Sequence, residues 1–116
     1  MNLDNPLFLI PILTGLTFVI AGIIMIIIPP KKINSLYGYR TSSSMKSQER
    51  WDFSQKYAAQ VLVKFGAILT LSSILGLVYD FSENISTIMG LGFMLIAVIF
   101  LILKIEKAIK IRFGNE

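Results

Sequence analysis

Three long apolar segments divide the chain, and most polar residues lie between or after them. The apolar segments cover about residues 7–28, 61–79 and 85–103. A helix needs about 20 mostly apolar residues to cross the hydrocarbon core of a bilayer. Each segment is close to this length, and the first and third contain no charged residue. The pattern predicts an all-α integral membrane protein, a single domain built as a bundle of three transmembrane helices.

The composition agrees with lipid as the solvent for most of this chain. Hydrophobic residues make up 54% of the chain and charged residues 16%, whereas charged residues average about 25% in soluble domains. Cysteine and histidine are absent, which excludes disulfides, Cys/His zinc sites and Ser–His or Cys–His catalysis. Glu49 and Asp52 lie three residues apart, a spacing typical of a solvated helix face. We therefore expect no metal, no cofactor and no enzymatic activity.

The basic residues predict the orientation of the chain in the membrane. All 11 lysines and arginines lie between Pro30 and the start of the second apolar segment (Lys64 just inside it) or after the third. The N-terminus and residues 80–84 carry only acidic charges. Short loops rich in lysine and arginine stay in the cytoplasm. We expect a multi-pass membrane protein, with the N-terminus outside and with loop 29–60 and tail 104–116 cytoplasmic.

Small residues recur seven positions apart in each apolar segment. They are Gly15 and Gly22, then Ala59, Gly66 and Ser73, then Gly90 and Ala97. Seven residues is about two helical turns, so each set lies on one face and permits close helix packing. Thr70, Ser72 and Ser73 are candidates for hydrogen bonds between helices. The pattern leaves open whether these faces meet within one chain or in a homo-oligomer.

The first polar loop, residues 29–60, has sequence features that a simple connection between two helices does not require. Residues 34–38 have the composition of a turn, in which Gly38 supplies a positive φ. From about Ser44 the pattern becomes helical, which predicts that the loop leads into a long second helix. Trp51 and its aromatic neighbours Phe53 and Tyr57 are expected at the headgroup interface.

Arg40 is the leading candidate for binding in this loop. Aromatic rings for cation–π contacts and carboxylates for an ion pair lie nearby in the sequence, at Tyr37, Tyr39, Trp51, Glu49 and Asp52. Two interpretations remain open. Arg40 either holds the loop against the start of the second helix, or binds an anionic ligand, a lipid headgroup or a protein partner.

The loop resembles the signature of the SdpI family. That signature is roughly N-x-x-[YF]-G-[YF]-R-T, a short spacer, and W-x-x-[AS]-[QN], placed between two membrane helices. Here it is matched by residues 34–41, a serine-rich spacer and residues 51–55. The resemblance implies that the motif residues form a site for a ligand or partner. Carried over by position, they are Asn34, Tyr37, Gly38, Arg40, Thr41, Trp51 and Gln55.

The resemblance also implies a location in a bacterial cell membrane and a function. The best-known member of the family is a bacterial immunity protein that protects against a secreted peptide toxin and sequesters a transcriptional repressor at the membrane. We therefore expect immunity or bacteriocin resistance through binding to a peptide toxin, without catalysis. The alternative is a signal-transduction or scaffold subunit that recruits a cytoplasmic regulator such as a repressor. The basic tail is expected to contact anionic lipid of the bilayer and not nucleic acid.

Overall fold

The computed structural model describes residues 3–114, so the last two residues of the predicted tail lie outside the described range. Its helices, in chain order, are α1 (Pro6–Ile27), α2 (Gln48–Ser72), α3 (Ile74–Val78) and α4 (Glu83–Phe113). No strand occurs within residues 3–114. The prediction of an all-α fold is confirmed.

Three stretches of helix are long and apolar enough to cross a membrane. They are Pro6–Ile27, Gln48–Val78 (α2 and α3 together) and Glu83–Phe113. In their most apolar windows only 22%, 28% and 17% of the residues are buried, so most of these side chains face outward. A surface with this much exposed apolar area needs lipid or another apolar partner around it. The prediction of three membrane-spanning helices is confirmed.

Local sequence signals explain where the first two long helices begin and end. The side chain of Asn5 caps α1 by accepting a hydrogen bond from the backbone N–H of Leu7 at 2.9 Å. The helix ends just before the two prolines at 29–30, which cannot continue it. Ser47 caps α2, and its hydroxyl accepts from the N–H of Arg50 at 3.2 Å. The second helix thus starts a few residues after Ser44, where the pattern becomes helical.

Helix α4 is longer than the bilayer requires. Its 31 residues span about 46 Å at the usual helical rise, whereas the hydrocarbon core is about 30 Å thick. Lys110 and Arg112 occupy the last turn, where positive charge complements the helix dipole. The helix ends at Gly114, which has a positive φ of 84°. The basic tail of the sequence is therefore a direct extension of the third spanning helix.

Helices α1 and α2 pack together through glycine. A Cβ atom on Gly66 would lie 2.6 Å from the backbone oxygen of Gly15, and one on Gly22 would lie 2.7 Å from the oxygen of Ala59. The two backbones are thus in direct contact, which only small residues permit. Gly90 of α4 likewise approaches the start of α1, with its Cβ position 2.9 Å from the oxygen of Pro6.

Within residues 3–114, the hydroxyl groups of Thr70, Ser72 and Ser73 donate to nearby backbone oxygens and not to another spanning helix. Thr70 donates to the oxygen of Gly66 at 2.8 Å, and Ser73 donates to the oxygen of Thr70 at 2.6 Å. Ser72 similarly donates to Leu69 at 2.7 Å. The expectation of interhelical hydrogen bonds from these side chains is wrong, because each hydroxyl bonds back to its own helix. The cluster lies at the junction of α2 and α3.

The alternating helix directions place unlike charges at the two ends of the bundle. The end of α1, the start of α2 and the end of α4 meet at one end, which we call the basic end. Residues 28–47 fold over this end, and we call them the loop cap. The opposite, acidic end contains the start of α1, helix α3 and the start of α4. There Asn5 donates to the backbone oxygen of Gly76 at 3.0 Å and ties α1 to α3.

Gly66→Ala is expected to destabilise the bundle, because the added methyl group would force α1 away from α2. Overpacking of this kind costs about 1–3 kcal/mol. The thermal unfolding midpoint in detergent should fall relative to wild type. Gly92→Ala is the matched control, because nothing lies within 4 Å of its Cβ position. An equal midpoint for Gly66→Ala and wild type would contradict direct backbone packing at this site.

Candidate functional site

The loop cap begins with a turn organised by Asn34. Its side-chain oxygen accepts from the backbone N–H groups of Leu36 at 2.9 Å and Tyr37 at 2.7 Å. Its side-chain nitrogen donates to the oxygen of Lys32 at 2.9 Å. An asparagine side chain can replace backbone partners in this way when it initiates a turn. The Tyr37 hydroxyl then donates to the backbone oxygen of Ile28, which joins the turn to the end of α1.

Gly38 and Gln55 hold the middle of the loop cap against α2. Gly38 has a φ of 113°, and a Cβ atom there would lie 2.6 Å from the side-chain oxygen of Gln55. The buried amide of Gln55 accepts from the N–H of Tyr39 at 2.7 Å and donates to the oxygen of Tyr39 at 2.8 Å. The Gln55 side chain thus bonds to both the backbone N–H and the backbone oxygen of Tyr39, in the way that a neighbouring β-strand pairs with a residue. Only glycine allows this close approach.

Trp51 supports the loop cap from below. The side chain is 0% exposed, and its ring N–H donates to the backbone oxygen of Pro30 at 2.6 Å. The loop cap covers Trp51, so its ring does not contact lipid headgroups as an interfacial anchor would. Phe53 and Tyr57, one turn apart on α2, are partly exposed and stack with ring centroids 5.7 Å apart.

Arg40 is exposed at the surface of the loop cap, and its guanidinium donates to the backbone oxygen of Ser35. Among the described residues it has neither the cation–π contacts nor the ion pairs expected from the sequence. Two other arginines make such contacts: Arg50 lies 5.4 Å from the ring centroid of Phe113, and Arg112 lies 5.2 Å from that of Phe53. These contacts connect the start of α2 to the end of α4.

Glu106 of α4 is the centre of a hydrogen-bonded cluster with the loop cap. Its carboxylate accepts from the hydroxyl groups of Tyr39 at 2.6 Å, Thr41 at 3.0 Å and Ser43 at 2.5 Å. Three hydroxyl donors on one partly buried carboxylate make strong, charge-assisted bonds. The cluster joins residues that are 63 to 67 positions apart in the chain. It fixes the far side of the loop cap to the extension of the third spanning helix.

Buried polar groups around this cluster are also satisfied. Ser44 is 0% exposed, and its hydroxyl accepts from the N–H of Thr41 at 2.9 Å and donates to the oxygen of Tyr39 at 3.1 Å. Arg50 is 6% exposed and donates to the oxygen of Ser43 at 2.9 Å. The guanidinium therefore adds positive charge beside the carboxylate of Glu106.

The electrostatics of the cluster keep Tyr39 protonated. Burial raises the pKa of the Tyr39 phenol above its ordinary value of 10.0, and the hydrogen bond to Glu106 and the charge of that carboxylate raise it further. A hydrogen bond involving Thr41 has a smaller, lowering effect on this pKa. The phenol therefore acts as a hydrogen-bond donor at physiological pH.

An apolar cavity of about 350 Å³ lies beneath the loop cap, between α1, α2 and α4. Tyr37, Gly38 and Tyr39 line its loop side, and Met25 and Leu101 are among the helix residues that line the rest. Its chemistry suits an apolar group. Within residues 3–114 no group of three or more acidic or cysteine side chains is placed to hold a metal ion.

The structure brings the seven motif residues together in and beneath the loop cap, but sequence reasoning missed several of their partners. These are Ser43, Ser44, Arg50 and Glu106. Of these, Glu106 had a recognisable signal, because it is an isolated acidic residue between Lys104 and Lys107 at the end of an apolar helix. Its partners could not be read from the sequence, since they lie more than 60 positions away.

Comparisons with known proteins single out the same region. The SdpI/YfhL protein family matches residues 31–104, which include all seven motif residues, α2 and most of α4. The chain is 41% identical over 61 residues to the uncharacterized protein YfhL of Bacillus subtilis (strain 168). That alignment covers 49% of this chain and 56% of YfhL, so the chain matches little more than half the length of this relative. No solved structure matches the chain.

Glu106→Gln is expected to loosen the loop cap, because it removes the negative charge that three hydroxyl donors share. Hydrogen bonds to a charged group contribute about 1.5–3 kcal/mol each, and partial replacement by the amide should leave a net loss of about 1–3 kcal/mol. The thermal unfolding midpoint in detergent should fall accordingly. Glu49→Gln, an exposed change of the same chemistry, should lower the midpoint much less, because it removes only a charge in the first turn of α2. Equal midpoints for the two variants would show that the Glu106 cluster adds no stability.

Proposed function

Because the chain belongs to the SdpI/YfhL protein family, we propose that it is an immunity protein that protects a bacterial membrane against a secreted antimicrobial peptide. The proposed mechanism is binding of the toxin, without catalysis. Three helices that are long and apolar enough to cross a membrane support this proposal, because a membrane is what such a peptide attacks. The family motif forms a cap on this bundle that side-chain hydrogen bonds hold in place, and such preorganisation lowers the entropy cost of binding.

One observation carries this proposal. Six of the seven motif residues have internal partners or packing that account for their presence, whereas Arg40 is exposed and bonds only to a loop carbonyl among the described residues. An exposed guanidinium on a rigid loop is well suited to bind a carboxylate or phosphate with two parallel hydrogen bonds. The other motif residues serve this function by holding the loop cap in one conformation.

The proposal includes an orientation. The loop cap and the end of α4 would face the cytoplasm, because the lysines and arginines lie there. The acidic end, with Asp80 and Glu83, would face the exterior. A toxin arriving from outside would then reach Arg40 only after it has entered or crossed the bilayer.

A second function is favoured by a different observation. Leu36 in the loop cap is 89% exposed, the largest exposed fraction among the large hydrophobic residues of the described chain. An exposed leucine four residues from Arg40 offers an apolar and a charged contact on one surface. This combination is typical of protein-binding sites. In this alternative the basic end recruits a cytoplasmic regulator, such as a transcriptional repressor.

Arg40→Ala is expected to abolish protection without lowering the amount of protein, because the side chain is exposed. The measurement is survival of a toxin-sensitive strain that expresses each variant and is challenged with the secreted peptide toxin against which the best-known family member protects. Membrane abundance is measured by immunoblot. Lys32→Ala, the loss of another exposed cation from the same loop, is the matched control and should protect like wild type.

Trp51→Ala should lower the abundance of the protein itself, because truncating a fully buried tryptophan costs about 3–5 kcal/mol.

The other outcomes of the survival assay separate the two proposed functions. Protection by both wild type and Arg40→Ala would retain immunity but remove Arg40 from the working site. No protection by wild type at normal abundance would contradict immunity to this peptide and favour recruitment of a regulator.

Cysteine labelling in intact cells tests the orientation, since the chain contains no cysteine of its own. Asn84→Cys, at the acidic end, should react with a membrane-impermeant maleimide added outside. Ser42→Cys, in the loop cap, should react only after the cells are permeabilised. Both positions are exposed, so the comparison reports the side of the membrane and not burial. The reverse labelling pattern would invert the proposed orientation.

A further inference from the structure

The acidic end contains a second cavity that the loop cap does not explain. It has a volume of about 350 Å³ and lies between the start of α1 and the connection from α3 to α4. Its lining includes Asp4, Asn5, Asp80, Phe81, Glu83 and Ser86. This volume is at the lower end of the range that small ligands occupy.

The charge of this cavity is negative. Asp80 and Glu83 contribute carboxylates for which no hydrogen bond or ion pair is found among residues 3–114. All 11 lysines and arginines lie at residues 31–64 or after residue 103, and none lies in residues 65–103, which include the start of α4. Glu83 also complements the dipole of α4, in whose first turn it lies. That explanation does not extend to Asp80, which precedes the helix.

Ser86 supplies an independent indication of a ligand. The residue is 1% exposed, and its hydroxyl oxygen has no hydrogen-bond partner within the described chain. Buried hydroxyl groups in helices usually donate to the carbonyl one turn earlier, as the adjacent Thr87 does to Glu83 at 2.9 Å. Ser86 lacks this bond although it lines the cavity, which leaves one hydroxyl in the cavity wall without a hydrogen-bond partner among the described residues.

Phe81 gives the cavity an aromatic wall. It is 38% exposed and stacks on Tyr79, with ring centroids 5.8 Å apart. Aromatic faces combined with carboxylates and neutral oxygens are suited to organic cations. A metal ion fits less well, since the acidic side chains here are not grouped closely enough to hold one within the described residues.

From these features we propose that the cavity binds the ammonium or guanidinium group of a basic peptide side chain. Asp80 and Glu83 neutralise the charge, Phe81 covers it and the Ser86 hydroxyl accepts one hydrogen bond. This site lies at the opposite end of the bundle from the family motif. It goes beyond the proposed immunity function and holds whether or not the chain protects cells.

The test is calorimetric titration of the full chain, in the uncharged detergent dodecyl maltoside, with the blocked peptide acetyl-tetralysine-amide. The double variant Asp80→Asn/Glu83→Gln should weaken binding at least tenfold. The matched control, Glu49→Gln/Asp52→Asn, removes the same charge at the basic end and should bind like wild type. No binding to wild type, or equal weakening in the control, would overturn the proposal.

Ser86→Ala separates the site from general charge attraction. Removing a buried, unpartnered hydroxyl should leave the thermal midpoint unchanged or raise it, while binding of the peptide should weaken about threefold. Binding equal to wild type would remove Ser86 from the site and overturn the proposed geometry. Displacement of tetralysine by a short-chain phosphatidylethanolamine would assign the cavity to a lipid ammonium group and overturn the peptide assignment.

Discussion

The loop cap depends on one physical constraint, which is that buried backbone polar groups need hydrogen-bond partners. Helices provide these partners internally, but an irregular loop folded onto a membrane bundle cannot. Here side chains of the helices supply them. Gln55 pairs with both polar groups of Tyr39, and Trp51 donates to the oxygen of Pro30. The identity of each of these side chains follows from the loop group that it must satisfy.

The same constraint explains why α4 continues past the bilayer. A carboxylate that accepts three hydroxyl donors from the loop must lie at the level of the loop, beyond the hydrocarbon core. The additional turns of α4 carry Glu106 to that level and also deliver Phe113 to the ring stack around Phe53. The tail of the sequence therefore forms one wall of the cap.

The sequence predicted the features that depend on local pattern and composition. It did not predict contacts between residues that are far apart in the chain. Three spans follow from hydropathy, and the start of α2 follows from a serine followed by an acidic residue. The burial of Trp51 could not be predicted from the sequence. The local sequence around an aromatic residue at a helix start is the same whether lipid headgroups or a loop covers the ring. The partners of Glu106 lie in the loop cap, and no local pattern connects them. The hydroxyl groups of α2 were misread because back-bonding and interhelical bonding have the same sequence appearance.

The fold explains the identity of most motif residues, but it does not explain why residue 40 is an arginine. Asn34, Gly38 and Gln55 each make a contact that few other residues could make in the same place. The hydrogen bond from Arg40 to a backbone oxygen does not require arginine, since a lysine could donate an equivalent hydrogen bond. A guanidinium differs from an ammonium in presenting a planar pair of donors. An anionic partner outside the described chain would require that geometry. For this reason Arg40 is the motif residue that best indicates the function of the protein.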